Sequence, residues 1–468
     1  MKPWLEDASS LADGIRHGDI RAADAVEASL DAIAGSQVNA IAYVDAEGAR
    51  RQAEEIDARI RAGEDPGLFA GVPLLVKDLE HAKGMPTTHG SVPYKDNVVD
   101  YDSIDVGRLR AAGAIIVGKS TASEFGYVGY CATKLFGVTR NPWNLERTPG
   151  ASSAGSAAAV AGGLVPTATA SDGGGSIRLP ASHCGLVGMK GSFGRVPRGP
   201  RAQNGPLTSC WGTVARSVRD AARWYDVTSG YDPRDAFSLP RIDGWERDLG
   251  TRELRGLRVA IAPDLGGIAL MDPDVERIAR DAAEALVDAT GMRRVEIEIA
   301  LPEKGTAWAN AGAPSLYNEL KDYWPACKDD LTFEIRYAME FMERYRIWHA
   351  ASGDPFRVAM NEAMADLFER VDVVLCATSP VEPFKAEGPM PNHVGETKVS
   401  PFNNAALTIP ANISGYPAIS IPAGLSPSGL PIGLQAYARR HEDALLLDVA
   451  LAMERARPWP LVAPGAPV

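Results

Sequence analysis

Residues Gly150–Ala181 read GASSAGSAAAVAGGLVPTATASDGGGSIRLPA. Two glycine-rich turns bear serines, Ser152-Ser153 in the first and Ser176 in the second, with a run of Ala, Gly, Val and Leu between them. Side chains this small let backbone approach backbone or a ligand closely. A reactive hydroxyl benefits from such a setting, because bare main-chain N–H groups hold an oxyanion well. A flexible Gly/Ser linker is the competing reading. Val160, Leu164, Val165 and Ile177 argue against it, as does the position of the run between apolar segments.

Outward from this stretch, helical and strand patterns alternate. Residues 22–63 read as helical, with Val26, Leu30 and Ile33 on one face and Ile56 and Ile60 marking a second helix. Gly71–Val76 (GVPLLV) reads as a buried strand ending at Lys77-Asp78. Ile104–Ala112 reads as helix and Ala114–Val117 as another buried strand. Leu257–Ile261 and Asp272–Ala289 continue the alternation as strand and helix. Val373–Cys376, Ala418–Pro422 and Ile432–Ala438 read as strands, and His441–Ala456 as a closing helix. Region 300–370 is rich in aromatics: Trp308, Tyr317, Tyr323, Trp324, Phe333, Tyr337, Phe341, Tyr345 and Trp348. Most of these read as packing on the core, with a cleft-lining role as the alternative. The pattern predicts an α/β fold with a central, mixed, mostly buried sheet covered on both faces by helices.

The chain has 468 residues and a net charge of −12. An acidic surface disfavours nucleic acid or anionic membrane as the main partner. The five cysteines, Cys131, Cys184, Cys210, Cys327 and Cys376, form no C-x-x-C pair, which reads as a reduced, metal-free, cytoplasmic protein. The N-terminal residues lack the apolar core of a signal peptide, and no run reaches the ~18 apolar residues of a membrane span.

Three motif readings fail on context. Gly113–Ser120, GAIIVGKS, matches the G-x-x-x-x-G-K-[ST] phosphate-binding pattern, but its middle residues are themselves strand-like and leave no loop for a phosphate. A nucleotide-binding protein is therefore a poor fit. There is no G-x-S-x-G elbow and no S-x-x-K pair. The seven histidines are scattered, and His183, near Ser176 in sequence, reads as a packed core residue.

The assembled motifs resemble the amidase signature family of serine–(cis)serine–lysine hydrolases. Gly150–Ala181 follows that family's signature run almost position by position. GVPLLVKD at 71–78, GVTRNPWN at 137–144, CGLVGMKGSFGRV at 184–196, IPANISGYPAISIPAG at 409–424 and GLPIGLQ at 429–435 are similar to its other marks. The resemblance implies one amidase domain over 1–468. Within it lie an N-terminal helical part (1–65), a catalytic core (70–265), a variable helical pocket region (300–370), and C-terminal strands and helix (371–456).

The resemblance also implies roles. Ser176 is the nucleophile, Ser152 the bridging serine on a cis peptide, and Lys77 the base. The backbone N–H groups of Gly173, Gly174, Gly175 and Ser176 form the oxyanion hole. Ser153, Asp172 and Arg178 are supporting residues. Tyr127 and Tyr130, in FGYVGYC, are candidates for the acyl pocket, and 300–345 is its other expected wall. Ala151, Ala154, Ser171, Gly173, Gly191 and Ser192 depart from the family pattern, which bears on loop geometry and substrate range.

The implied reaction is hydrolysis of a small aryl or hydrophobic amide, with no cofactor and no metal. Within the family, the chain is similar to bacterial aryl acylamidases and to hydrolases of the nylon-derived aminohexanoate cyclic dimer. Carbamates and hydrazides present the same planar carbonyl and stay open as substrates. An amidotransferase subunit is the same-fold rival, although Leu179 stands where such proteins usually have Gln. A homodimer is the assembly common among relatives.

Overall fold

The computed structural model describes residues 3–201, 207–302 and 307–468. Its centre is an eleven-stranded mixed sheet. In chain order the strands are β1 (Ile41–Val44), β2 (Pro73–Lys77), β3 (Ile115–Ser120), β4 (Thr167–Asp172), β5 (Val187–Lys190) and β6 (Cys210–Ala215). They continue as β7 (Arg258–Ile261), β8 (Arg293–Arg294), β9 (Val373–Ala377), β10 (Ala418–Leu425) and β11 (Pro431–Ala438). Across the sheet the order is β1-β3-β2-β4-β6-β5-β10-β11-β9-β7-β8. β2 runs parallel to both β3 and β4, whereas β4 pairs antiparallel with β6. Strands from both ends of the sequence thus meet in one sheet, with β10 pairing β5.

The central strands are apolar along most of their length, as expected of a sheet covered on both faces. All five residues of β2 and all six of β3 are buried. The GAIIVGKS match lies within β3 and the residues just before it. Its Lys119 is buried, and the amine donates to the carbonyls of Glu80 (2.6 Å) and Pro86 (3.1 Å) and to the Thr87 hydroxyl (3.0 Å). A lysine committed in this way cannot cradle a phosphate.

The alanine-rich segment between the serine turns forms helix Ala154–Ala161, every residue of it buried. Alanine suits the helix by propensity, and its small side chains let the helix sit tightly against the sheet. Gly155 shows why size matters: a Cβ there would stand 2.4 Å from the Thr121 nitrogen and 2.5 Å from the Ala40 carbonyl oxygen. Helix Pro273–Thr290 has its expected punctuation. Asp272 caps the N-terminus, Pro273 begins the first turn, and left-handed Gly291 ends it.

Two expectations need correction. Residues 22–63 are not all helix. Helices Ala22–Ala34 and Ala46–Arg61 flank β1, whose IAYV sequence pairs antiparallel with β3. β-Branched and aromatic residues favour that edge position, and the Asp45 carboxylate restarts the helix by accepting the Gly48 N–H. Nor do the aromatics of 300–370 mostly pack on the core. Tyr317, Tyr323, Phe333, Tyr337, Phe341 and Trp348 are all exposed. The helices there bury Leu316, Leu320, Ile335, Ala338 and Met339 instead, in a small separate cluster.

Among the described residues, no helix is long and apolar enough to cross a membrane. No cluster of three or more His, Cys, Asp or Glu there is placed to hold a metal ion. All five cysteines are free and buried.

Candidate active site

The C-terminal ends of β2 and β4 meet the first serine turn. Lys77, the last residue of β2, is fully buried, and its main-chain N–H donates to the Thr169 hydroxyl of β4 at 2.8 Å. Its amine donates to Ser152 Oγ at 2.8 Å, to Ser171 Oγ at 3.0 Å and to the Ser171 carbonyl at 3.2 Å. Ser152 is 3% exposed and follows a cis Ala151–Ser152 peptide bond. The Ser153 hydroxyl donates to the same Ser171 carbonyl at 3.4 Å. Burial lowers the Lys77 pKa to about 8, against the opposing pull of Glu80, Asp172 and Cys131. Loss of hydration penalises the ammonium and favours the neutral amine.

Ser176 sits on the loop between β4 and helix Arg178–Cys184, half-buried where Lys77 and Ser152 are sealed. Asp172 holds this loop from within. Its carboxylate accepts the Gly175 N–H at 2.6 Å and the Ile177 N–H at 3.1 Å. Gly175 is thereby removed from the expected oxyanion donors, because a carboxylate already occupies its N–H. Gly173, Gly174 and Ser176 are left as the candidate donors of the loop.

Two side chains outside the signature run hold the loop carbonyls. Trp308 Nε1 donates to the Gly173 carbonyl at 3.2 Å, and the Thr408 hydroxyl to the Gly174 carbonyl at 2.7 Å. In a planar trans peptide the C=O and the following N–H point in opposite directions. Pinning the Gly173 carbonyl on Trp308 therefore aims the Gly174 N–H away from the indole. The indole also fixes the residue type: a Cβ at Gly174 would stand 2.6 Å from Trp308 Cζ2.

Asp172 is itself locked. The buried Arg178 guanidinium grips it through Nε (3.0 Å) and Nη2 (3.0 Å). Asn412 Nδ2 donates to its Oδ1 at 2.9 Å, and Gln435 Oε1 accepts from Arg178 Nη1 at 2.7 Å. Burial alone would raise this carboxyl, but Arg178 and Asn412 outweigh it and hold Asp172 well below the usual carboxylate range. Asp172→Asn is expected to destabilise the fold by about 3–5 kcal/mol, since removing one partner of a buried ion pair strands the other. Urea denaturation of the variant checks this; a loss under about 1 kcal/mol would make the pair dispensable.

The two tyrosines fare differently. Tyr130 is 8% exposed, its hydroxyl donates to the Glu334 carboxylate, and its ring lies where a Cβ on Gly388 would be. It ties the 125–131 segment to helix Phe333–Met342. Tyr127 is 40% exposed. Its neighbour Gly126 passes over Ser152, with a Cβ position 3.2 Å from Ser152 Oγ, so Tyr127 keeps its place as a pocket candidate. His183 is buried with neither ring nitrogen hydrogen-bonded, and packs edge-on to Phe384. In the wall expected over 300–345, residues 303–306 lie outside the described residues.

Sequence reasoning missed Trp308, Thr408, Asn412, Gln435 and Ser171 as parts of the site. Asn412 and Gln435 lie inside the C-terminal motifs IPANISGYPAISIPAG and GLPIGLQ, so their positions were visible and their partners were not. Trp308 carried no signal beyond being aromatic.

The sheet, the lysine–serine contact and the relatives together define a hydrolase of carbon–nitrogen bonds other than peptide bonds. The chain belongs to the amidase signature family, whose Amidase model matches residues 24–447. It is 33% identical to an acylamidase of Rhodococcus erythropolis, over 97% of this chain and 96% of that one. It is 34% identical to a glutamyl-tRNA(Gln) amidotransferase subunit of Synechococcus sp. (strain RCC307), over 97% and 98%. Among solved structures, a bacterial aryl acylamidase of the family superposes with a TM-score of 0.91 at 28% identity, over 97% of both chains. The 6-aminohexanoate cyclic dimer hydrolase complexed with substrate gives 0.88 at 29%, over 99% and 100%.

Proposed function

We propose that this chain is a serine amidohydrolase that cleaves small aryl or hydrophobic amides through an acyl-enzyme on Ser176, with Ser152 and Lys77 as its proton relay. The observation that carries this reading is the buried 2.8 Å contact between the Lys77 amine and Ser152 Oγ. A neutral amine has two N–H bonds and one lone pair. The Ser171 carbonyl and hydroxyl take up the two N–H bonds, so once the third proton, the one the ammonium donates to Ser152 Oγ, is lost, the lone pair left in its place accepts the Ser152 O–H.

In the proposed reaction Ser152 passes its proton to Lys77 and accepts the proton of Ser176. Ser176 Oγ then bonds to the substrate carbonyl carbon. The Gly173, Gly174 and Ser176 N–H groups receive the negative oxygen, each such donor contributing roughly 3–4 kcal/mol in comparable sites. The proton returns along the relay to the leaving nitrogen as the C–N bond breaks. Water then attacks the acyl-enzyme by the same relay, releasing the acid and free Ser176.

Because the base must be neutral, kcat/KM is expected to rise about tenfold per pH unit through the acidic range and to level off above the Lys77 value of about 8. Burial has moved that limb down from 10.5, bringing the neutral amine within reach of ordinary pH. A pH–rate profile with no break between about 7 and 9 would contradict the assignment.

An aryl or apolar acyl group is supported by the aromatic surround of the loop. Trp308 lies over Gly174 and meets Phe402 edge-on, and Gly126, between Phe125 and Tyr127 in sequence, passes over Ser152. The named activities of the Rhodococcus acylamidase and the aryl acylamidase agree with it. Product release from anilides, aliphatic amides, cyclic and linear oligoamides, aryl carbamates and hydrazides is the test. Anilides or other hydrophobic amides are expected to give the highest kcat/KM. Preference for a carbamate or hydrazide would keep the triad and change the substrate. The Synechococcus relative supports a second reading, as part of an amidotransferase, which turnover of a simple amide by the isolated chain, forming the free acid, would set aside.

A further inference from the structure

Beside Lys77 lies a buried carboxylate that the proposed relay does not use. Glu80 follows Lys77 by three residues on the turn leaving β2, and it is 0% exposed. Both carboxylate oxygens are sealed from water and meet no donor at hydrogen-bonding geometry. The polar groups beside them are the hydroxyls of Thr169 and Ser171. These same hydroxyls hold the lysine: Thr169 accepts its main-chain N–H and Ser171 accepts its amine. The turn itself is fixed, because the Glu80 carbonyl receives the Lys119 amine at 2.6 Å.

A buried acid without a full set of partners is costly. A hydrophobic side chain would fill the place at less expense, so the cost points to a task. We propose that Glu80 is a positioning residue for the base: buried on the turn that Lys77 begins, it sets a negative charge beside the lysine amine, and that charge biases the Thr169 and Ser171 hydroxyls that hold Lys77. This rests on the reading of Lys77 as the base.

The charged and titratable groups around the pair are few. Glu80 faces Lys77, Lys119 and Asp105, while Lys77 faces Glu80, Asp172 and Cys131. Asp105, on helix Ile104–Ala111, is also fully buried with both oxygens unpartnered, and it faces Glu80 and Arg108. Two neighbouring buried carboxyls resist carrying two charges. Burial accordingly raises both, and Lys77 and Lys119 pull Glu80 back down. Lys119 is already committed to Glu80, Pro86 and Thr87, with Asp78 3.8 Å away. Lys77 is thus the cation whose state Glu80 can influence during turnover.

The sign follows from the charge. A carboxylate beside the amine favours the ammonium, so removing it makes Lys77 a base at lower pH. Glu80→Gln keeps the size of the side chain and one acceptor oxygen, replaces the other oxygen by an NH2 donor, and removes the charge. The acidic limb of kcat/KM is expected to move down by half a pH unit or more, with KM within twofold of wild type. Glu80→Asp keeps the charge but withdraws it by one methylene from the hydroxyls. Its limb is expected to stay within about 0.2 pH unit while kcat falls at least fivefold. A purely structural role would lower the melting temperature and leave the limb where it is.

A folded Glu80→Gln variant whose limb coincides with wild type overturns the proposal. Should Glu80→Gln not fold, unchanged kcat and limb in Glu80→Asp overturn it. Ser176→Ala and Lys77→Met, assayed alongside, keep the two readings apart. If either retains turnover, the triad is wrong; if both are dead and the Gln limb is unmoved, only the role of Glu80 is wrong.

Discussion

Ser176→Ala is expected to abolish amide turnover, with kcat down by at least about 10⁴-fold, the scale on which loss of an activated serine is felt in hydrolases of this kind. Ser176 is half-buried on the glycine loop, so the substitution removes one hydroxyl without opening a core cavity. Stability should therefore change by no more than about 0.5 kcal/mol, as for an ordinary surface substitution. The combination of a dead enzyme and an unchanged melting curve is informative, because it separates lost chemistry from lost structure. Steady-state assay of the purified variant on the best anilide checks it. Activity within tenfold of wild type would remove Ser176 from the mechanism.

Lys77→Met should cost as much activity, for a different reason. Members of a relay act as a unit, so losing the base disables the nucleophile almost completely. Methionine keeps the volume of the lysine stem in a site with no exposure. Stability is expected to fall by about 1–3 kcal/mol, since Ser152 and Ser171 lose a buried hydrogen-bond partner and Glu80 loses a neighbouring cation. A fall of less than about tenfold, only ~1.4 kcal/mol of barrier, would place the base elsewhere.

Much of the architecture was legible because it is carried by local patterns. Apolar runs such as PLLV and AIIV cannot be satisfied outside a covered sheet, and their lengths suit strands rather than helices. β1 was hidden because Ile41–Val44 sits between two helices and is stabilised by pairing with β3, a partner far along the chain that leaves no local trace. The exposed aromatics of 300–370 misled for the opposite reason. Their identity suggests burial, but the helices bury Leu316, Ile335 and Met339 on the other face.

At the site, the side-chain types were readable and the hydrogen-bond assignments were not. Ser152, Ser176 and Lys77 stand in motifs specific enough to identify from sequence. That the Gly175 N–H belongs to Asp172, and that Trp308 and Thr408 hold the loop carbonyls, depends on directions that spacing does not encode. Glu80 gave no signal at all in sequence, because a glutamate in a turn reads as solvated until its burial is known.

The central claim is a covalent acyl group on Ser176, and trapping that intermediate tests it most directly. Enzyme mixed with an activated aryl ester is quenched in acid within the first turnover, digested after arginine and analysed by mass spectrometry. The fragment from Thr148 to Arg178 carries both Ser152 and Ser176, so tandem fragmentation must place the added mass. The account predicts one acyl group, on Ser176, absent from the Ser176→Ala variant. Label on Ser152, or label that persists in Ser176→Ala, would contradict it.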